Sequence, residues 1–215
     1  MAGETTGPDA EAALSDLCRG YWTPIYSFAR RAGHSREDAE DLTQGFFLDL
    51  LARNSIAGAV QERGRFRSFL LGAFEHYRFN CFRKESTQKR GGGVELFSMD
   101  AGPAEAGLAM EAATTGTPET MYERTWALAL LAKVMERLKA EYEAVYPHLA
   151  GESSRPGYAG MAAVLGISEN AIPLAVRRMR KRYGILLREE IAATVVSEAE
   201  VDDELRYLMK VIRGD

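Results

Sequence analysis

Apolar residues recur along this chain at intervals of three and four, and almost nowhere at intervals of two. Phe66, Phe69, Leu70, Ala73, Phe74 and Tyr77 fall at i, i+3, i+4, i+7, i+8 and i+11, which lines one side of an α-helix with oil. The same spacing joins Ala39, Leu42, Phe46 and Leu50, then Trp126, Leu130, Val134, Leu138 and Tyr142, and finally Leu205, Leu208, Met209 and Ile212. Ahead of them Leu14, Leu17, Tyr21, Ile25 and Phe28 keep it too, with Pro24 marking a bend or the start of a second helix. A half-buried sheet needs the alternation that is missing here, so the chain is predicted to be all-α.

Local punctuation divides these helices. Gly33 ends one, and Ser35 with Asp38 three residues on makes a capping-box pattern for the next, whose first turn is acidic as the helix dipole favours. "NSIAGAVQERG" breaks the period and reads as a loop, whereas Thr117 followed by Pro118 reads as an N-cap and first helical residue. Between the glycines at 91–93 and Pro118 the chain is Gly, Ala, Thr and acid with little to bury, which predicts a linker. A length of 215 residues allows one large core or two small ones. The linker favours two helical lobes, residues 11–93 and 118–196, joined by 94–117 and followed by an acidic helix at 197–215.

The net charge of −4 hides a strong segregation. Residues 63–90 hold eight Lys or Arg against two acids, and residues 177–188 hold six with no acid. Residues 91–123 carry six acids and no base, and the tail adds Glu198, Glu200, Asp202, Asp203 and Glu204. Two basic blocks with acidic spacers suit a polyanion held at two places.

The second block begins with the spacing of a helix-turn-helix. In "YAGMAAVLGISENAIPLAVRRMRKRY", Ala162 is small enough for two helices to cross closely, Gly166 permits the turn, and Ile172 locks the second helix onto the first. Ser168 is placed to cap that helix, Ala175, Val176, Met179 and Tyr183 to face inward, and Asn170, Leu174, Arg177, Arg178 and Lys181 outward. A DNA-reading helix contacts base edges from its first turns and phosphates further along. Asn170 and Leu174 are therefore candidate readers, Arg177 suits either task, and Arg178, Lys181 and Arg182 suit phosphate. In the first block Phe79 and Phe82 fit the core stripe poorly and lie among Arg65, Arg67, Arg78 and Arg83, a mixture of rings and cations that suits unstacked bases.

Taken in order, "DAEDLTQGFFLDLL", "GRFRSFLL", "KRGGG", "WALALL" and "VLGISENAIPLAVRRMRKRYGILLREEIAATV" resemble RNA polymerase sigma factors of the sigma-70 family, extracytoplasmic-function (ECF) type, over about residues 11–210. The resemblance implies a sigma-2-like unit at 11–93 that binds the polymerase clamp and opens the minus-10 element, and a sigma-4-like unit at 118–196 that reads the minus-35 element. It implies that Asp41, Gln44 and Leu48 dock on the clamp, that the loop at 54–65 captures a flipped base, and that Arg67, Arg78, Arg83 and Lys84 hold the strands. Core RNA polymerase and promoter DNA are then the partners, with an anti-sigma factor or a kinase as the kind of regulator such a protein takes. The chain departs from the family at Gly45, where an acid is usual, and at Glu75, His76 and Asn80. It departs again at Pro173, which is expected to remove a donor and bend the recognition helix, and in a short "AEYEAVYPHLAGE".

Other classes fit less of the chain. His34, His76 and His148 are scattered, there is no GxSxG, and the triple glycine lacks the GK[ST] of a phosphate loop, so neither an enzyme nor a cofactor or metal site is expected. Cys18 and Cys81 have no partner at metal-ligand spacing and read as reduced, and no apolar run approaches the roughly 20 residues of a spanning helix, so a cytoplasmic protein away from membranes is expected. A helix-turn-helix regulator that never meets polymerase explains residues 158–188 but leaves the aromatic basic block and the clamp-like helix idle.

Overall fold

The computed structural model describes residues 8–52, 65–85, 116–142 and 158–214, and every regular element among them is a helix. In chain order these are α1 (Pro8–Arg31), α2 (Arg36–Ala52), α3 (Phe66–Glu85), α4 (Pro118–Glu141), α5 (Tyr158–Leu165), a 3-10 turn (Glu169–Ala171), α6 (Ile172–Ala192) and α7 (Ala199–Arg213). None of these helices is long and apolar enough to cross a membrane.

The local signals act as read. Gly33 takes φ +97° and closes α1, with His34 N–H reaching back to the Ala29 carbonyl at 3.2 Å, the wrap-around bond that a left-handed residue after a helix permits. Ser35 Oγ accepts from Asp38 N–H at 3.1 Å and donates to the Asp38 carboxylate at 2.7 Å, which starts α2. Thr117 accepts from Thr120 N–H and Pro118 opens α4. Pro24 does not start a second helix: α1 runs through it, and its side chain is buried alongside Trp22 and Ile25. One lost backbone bond is outweighed there by a face that buries Tyr21, Trp22, Ile25, Tyr26, Phe28 and Ala29.

Packing is where expectation and structure part. Phe74 of α3 meets Phe28 of α1 and Phe46 of α2 edge to face, at 5.9 and 5.2 Å between centroids, and Tyr21 meets Phe66 likewise at 5.1 Å. This is the core expected of the first lobe. It does not end there, because Tyr122, Trp126 and Ala127 of α4 belong to the same buried cluster, and Trp126 Nε1 donates to the Tyr21 hydroxyl at 3.1 Å. The Tyr122 hydroxyl donates to the Arg67 carbonyl at 2.8 Å, and Phe66 N–H donates to the Thr194 carbonyl at 3.0 Å. Further along α4, Val134 and Leu138 join Met179, Leu186, Leu187 and Ile191 of α6, with Val201 and Leu208 of α7 completing the cluster. Buried residues of α1 to α4, α6 and α7 therefore belong to one continuous cluster. Helical spacing marks which side of α4 is apolar but not which helix covers it, and α1 covers it.

Candidate nucleic-acid interface

The corner between α5 and α6 is built as its residues demand. Gly166 adopts φ +63°, a left-handed value that a side chain would strain, and Ile167 N–H returns to the Ala162 carbonyl at 3.1 Å. Ala162 is buried at the crossing and Ile172 is fully buried beneath it. Two details differ from the sequence reading. Ser168 makes no side-chain cap, and its carbonyl instead accepts from Ala171 N–H at 2.9 Å to close the 3-10 turn. Because α6 starts at Ile172, Pro173 sits in its first turn, where no intrahelical partner awaits the missing N–H, so it neither costs a bond nor interrupts the helix.

On α6, Ile172, Met179, Leu186, Leu187 and Ile191 face the core. The opposite side carries Leu174, Arg178, Lys181, Ile185 and Arg188 at i, i+4, i+7, i+11 and i+14, with Arg177 beside them, and all are exposed. Asn170 is exposed on the 3-10 turn and Leu174 keeps 48% of its surface in the first turn of α6. Arg177, Arg178, Arg180 and Lys181 form no ion pair among the described residues, so their charge is open to a polyanion. Arg182, expected at a phosphate, differs from these in being paired within the chain. It makes a two-pronged bond to the Glu141 carboxylate at 2.6 and 2.7 Å and a third contact with Glu189 at 3.4 Å, and these acids hold its guanidinium above its ordinary pKa. Lys133 and Arg137 of α4 likewise close on Glu190 at 2.8 and 2.6 Å, fastening α6 to α4 along this edge.

The aromatic basic block divides in the same way. Phe79 and Phe82 project from α3 with 61% and 72% of their surface exposed, beside exposed Arg83. Arg78 is half-buried with its guanidinium 5.7 Å from the Phe28 ring centre. Arg67, expected on DNA, is 6% exposed, and its two-pronged bond runs to Glu204, which is 1% exposed. Glu123 lies 3.4 Å away, the Tyr207 ring centre 4.0 Å and that of Trp126 5.1 Å. Burial would lower the Arg67 pKa, but Glu204 outweighs it and the guanidinium stays above its usual range. Arg65 also closes on Glu204, at 2.9 Å. The side chain of Lys84 and the loop at 54–64 lie outside the described residues, as does the linker up to residue 115.

On α2 the third group is together on one surface: Asp41 is exposed and Gln44 and Leu48 are half-buried, opposite Ala39, Phe46 and Leu50. Leu42 is half-buried while Thr43 and Phe47 are buried, a small rotation of the expected stripe. Gly45 has a physical reason, because a Cβ there would run into the Tyr77 hydroxyl. No group of three His, Cys, Asp or Glu gathers at metal-binding distance among the described residues.

The sequence reading did not set two acids against the arginines they hold, Glu141 and Glu204. The second left a signal: it stands three residues after Val201 and four before Leu208, so it lies on the buried stripe of α7 and not on the solvent side. Compared with protein-family models, curated proteins and solved structures, the chain matches none of them.

Proposed function

We propose that this chain is an ECF-type sigma factor, a cytoplasmic subunit that binds core RNA polymerase and directs it to specific promoters. What carries the reading is the outward stripe of α6, a run of exposed cations without an acid that extends from the helix-turn-helix corner. Such a stripe fits a major groove, with Asn170, Leu174 and Arg177 at the bases and Arg178 and Lys181 at the phosphates. The exposed Phe79 and Phe82 pair favours a sigma factor over a plain duplex-binding regulator, because exposed rings can stack on the unpaired bases of an opened strand and a duplex offers none. In this reading the sigma-2-like unit comprises α1 to α3 and the sigma-4-like unit α4 to α6, with Asp41, Gln44 and Leu48 toward the polymerase clamp.

The test is transcription from a chromosomal promoter library with purified core bacterial polymerase, with and without the full chain. Specific transcripts that need both components are expected, and Asp41→Ala with Gln44→Ala should reduce core binding while the fold stays intact. Promoter-specific binding by the chain alone, with no transcripts added to those of core, would make it a regulator that works without polymerase.

A further inference from the structure

The acids of α7 reach both basic surfaces at once. Glu204 is buried against Arg65 and Arg67 at the start of α3, and Asp202, two residues earlier, pairs with Arg188 at the end of the α6 stripe at 2.7 Å. We propose that α7 is an acidic clasp that folds onto the nucleic-acid surfaces of its own chain and must leave for Arg65 and Arg67 to reach a phosphate backbone.

Three observations support a releasable contact. First, a buried ion pair adds little net stability over apolar residues of similar volume, so Glu204 is a poor choice if α7 were there only to fill the core. Second, α7 is held by few fully buried side chains, Val201, Glu204 and Leu208, with Leu205, Val211 and Ile212 partly covered. The short stretch between α6 and α7, residues 193–198, carries turns and no regular helix, so α7 has somewhere to hinge. Third, the groups around Arg67 suit an exchange. Its guanidinium presents a fork to the Glu204 carboxylate, the same fork that accepts a phosphate, and the Tyr207 ring that shields its face belongs to α7 and would depart with it. Removing α7 would therefore uncover Arg65 and the Glu204 and Tyr207 sides of Arg67, which keeps Glu123 and Trp126 of α4 beside it, and would take away the acids Glu200, Asp202, Asp203 and Glu204 that repel a polyanion.

This rests on the nucleic-acid part of the reading above, and its test omits polymerase so that the two can fail separately. The full chain and its Glu204→Gln variant are titrated with a fluorescent 25-base-pair duplex between 50 and 200 mM salt, and hydrogen exchange of α7 is followed with and without saturating duplex. The variant should bind more tightly with a salt slope steeper by about two contacts, so that its affinity falls about ten-fold more than the parent's across that range. Its α7 amides should exchange at least ten-fold faster, and Arg67→Ala in the variant should return about one contact of slope. In the parent, saturating duplex should itself speed α7 exchange. If duplex leaves α7 as protected as before in the parent, or if the variant opens α7 without any change of slope, the clasp is only a piece of core and the proposal is wrong. The parent measurement decides alone should the variant not fold. Release of α7 by duplex in a chain that never stimulates polymerase would uphold the clasp and reject the sigma factor.

Discussion

Replacing Trp126 by Ala should unfold both halves of the chain together. Trp126 is nearly fully buried where α4 meets α1, and truncating such a ring costs about 3–5 kcal/mol in lost transfer energy and cavity. Its indole N–H is a hydrogen-bond partner of the Tyr21 hydroxyl, which is buried with its ring, and leaving that oxygen unpaired adds about 1–3 kcal/mol. The Arg67 guanidinium, 5.1 Å from the ring centre, loses one of its two aromatic neighbours as well. A total near 5 kcal/mol is a large part of the stability of any domain, and at about 2.5 kcal/mol per molar urea it moves the midpoint by about 2 M. Trp22 on α1 is then the only tryptophan left, stacked on Tyr26 at 5.0 Å, so its fluorescence reports the first half while far-ultraviolet circular dichroism reports every helix. Both curves should shift by the same amount and stay superimposed, and Trp126→Phe should shift both by less than half as much. A Trp22 transition that keeps the parent's midpoint while the dichroism curve splits in two would refute a shared core.

Gly45→Ala should destabilise the parent through the Tyr77 hydroxyl, but in a Tyr77→Phe background it should stabilise by about 1 kcal/mol, the ordinary helix preference for Ala over Gly; a double-mutant cycle from thermal unfolding measures the difference. Burial pushes the Glu190 carboxyl up, yet its bonds from Lys133 and Arg137 outweigh burial and hold it below the usual carboxylate range. A folded value below the unfolded one, about 4.3, stabilises above that pH and is lost as pH falls through the folded value, so Glu190→Gln should be less stable than the parent at pH 7, with the gap in urea midpoints shrinking as pH falls below the unfolded value. For duplex DNA, replacing Arg178 and Lys181 by Ala should lower the salt slope by about two units, whereas Arg182→Ala should leave it unchanged because Glu141 already holds that guanidinium; fluorescence anisotropy across a salt series separates them.

Most helix positions, most caps and roughly the inner face of the long helices were legible in the sequence because they depend on neighbours three and four residues away. Ser35, Gly33, Thr117 and Gly166 act within one turn, and the exposed stripe of α6 follows from its period alone. Phe79 and Phe82 were legible for the same reason, as rings that miss the stripe of α3. Met209 shows the limit of that logic: it keeps helical spacing with Leu205 and Ile212 but falls at the stripe's margin and is 47% exposed. The fate of each cation was beyond local reasoning. Arg67, Arg178 and Arg182 read alike in sequence, and only the fold brings Glu204 to the first from 137 residues away and Glu141 to the last from 41 away. The shared core was hidden too, since a buried stripe states how much apolar surface must be covered and leaves open what covers it. Hydrophobic burial carries no address; the tertiary structure supplied it by setting α1 against α4, and with it decided which arginines stay free to meet an anion.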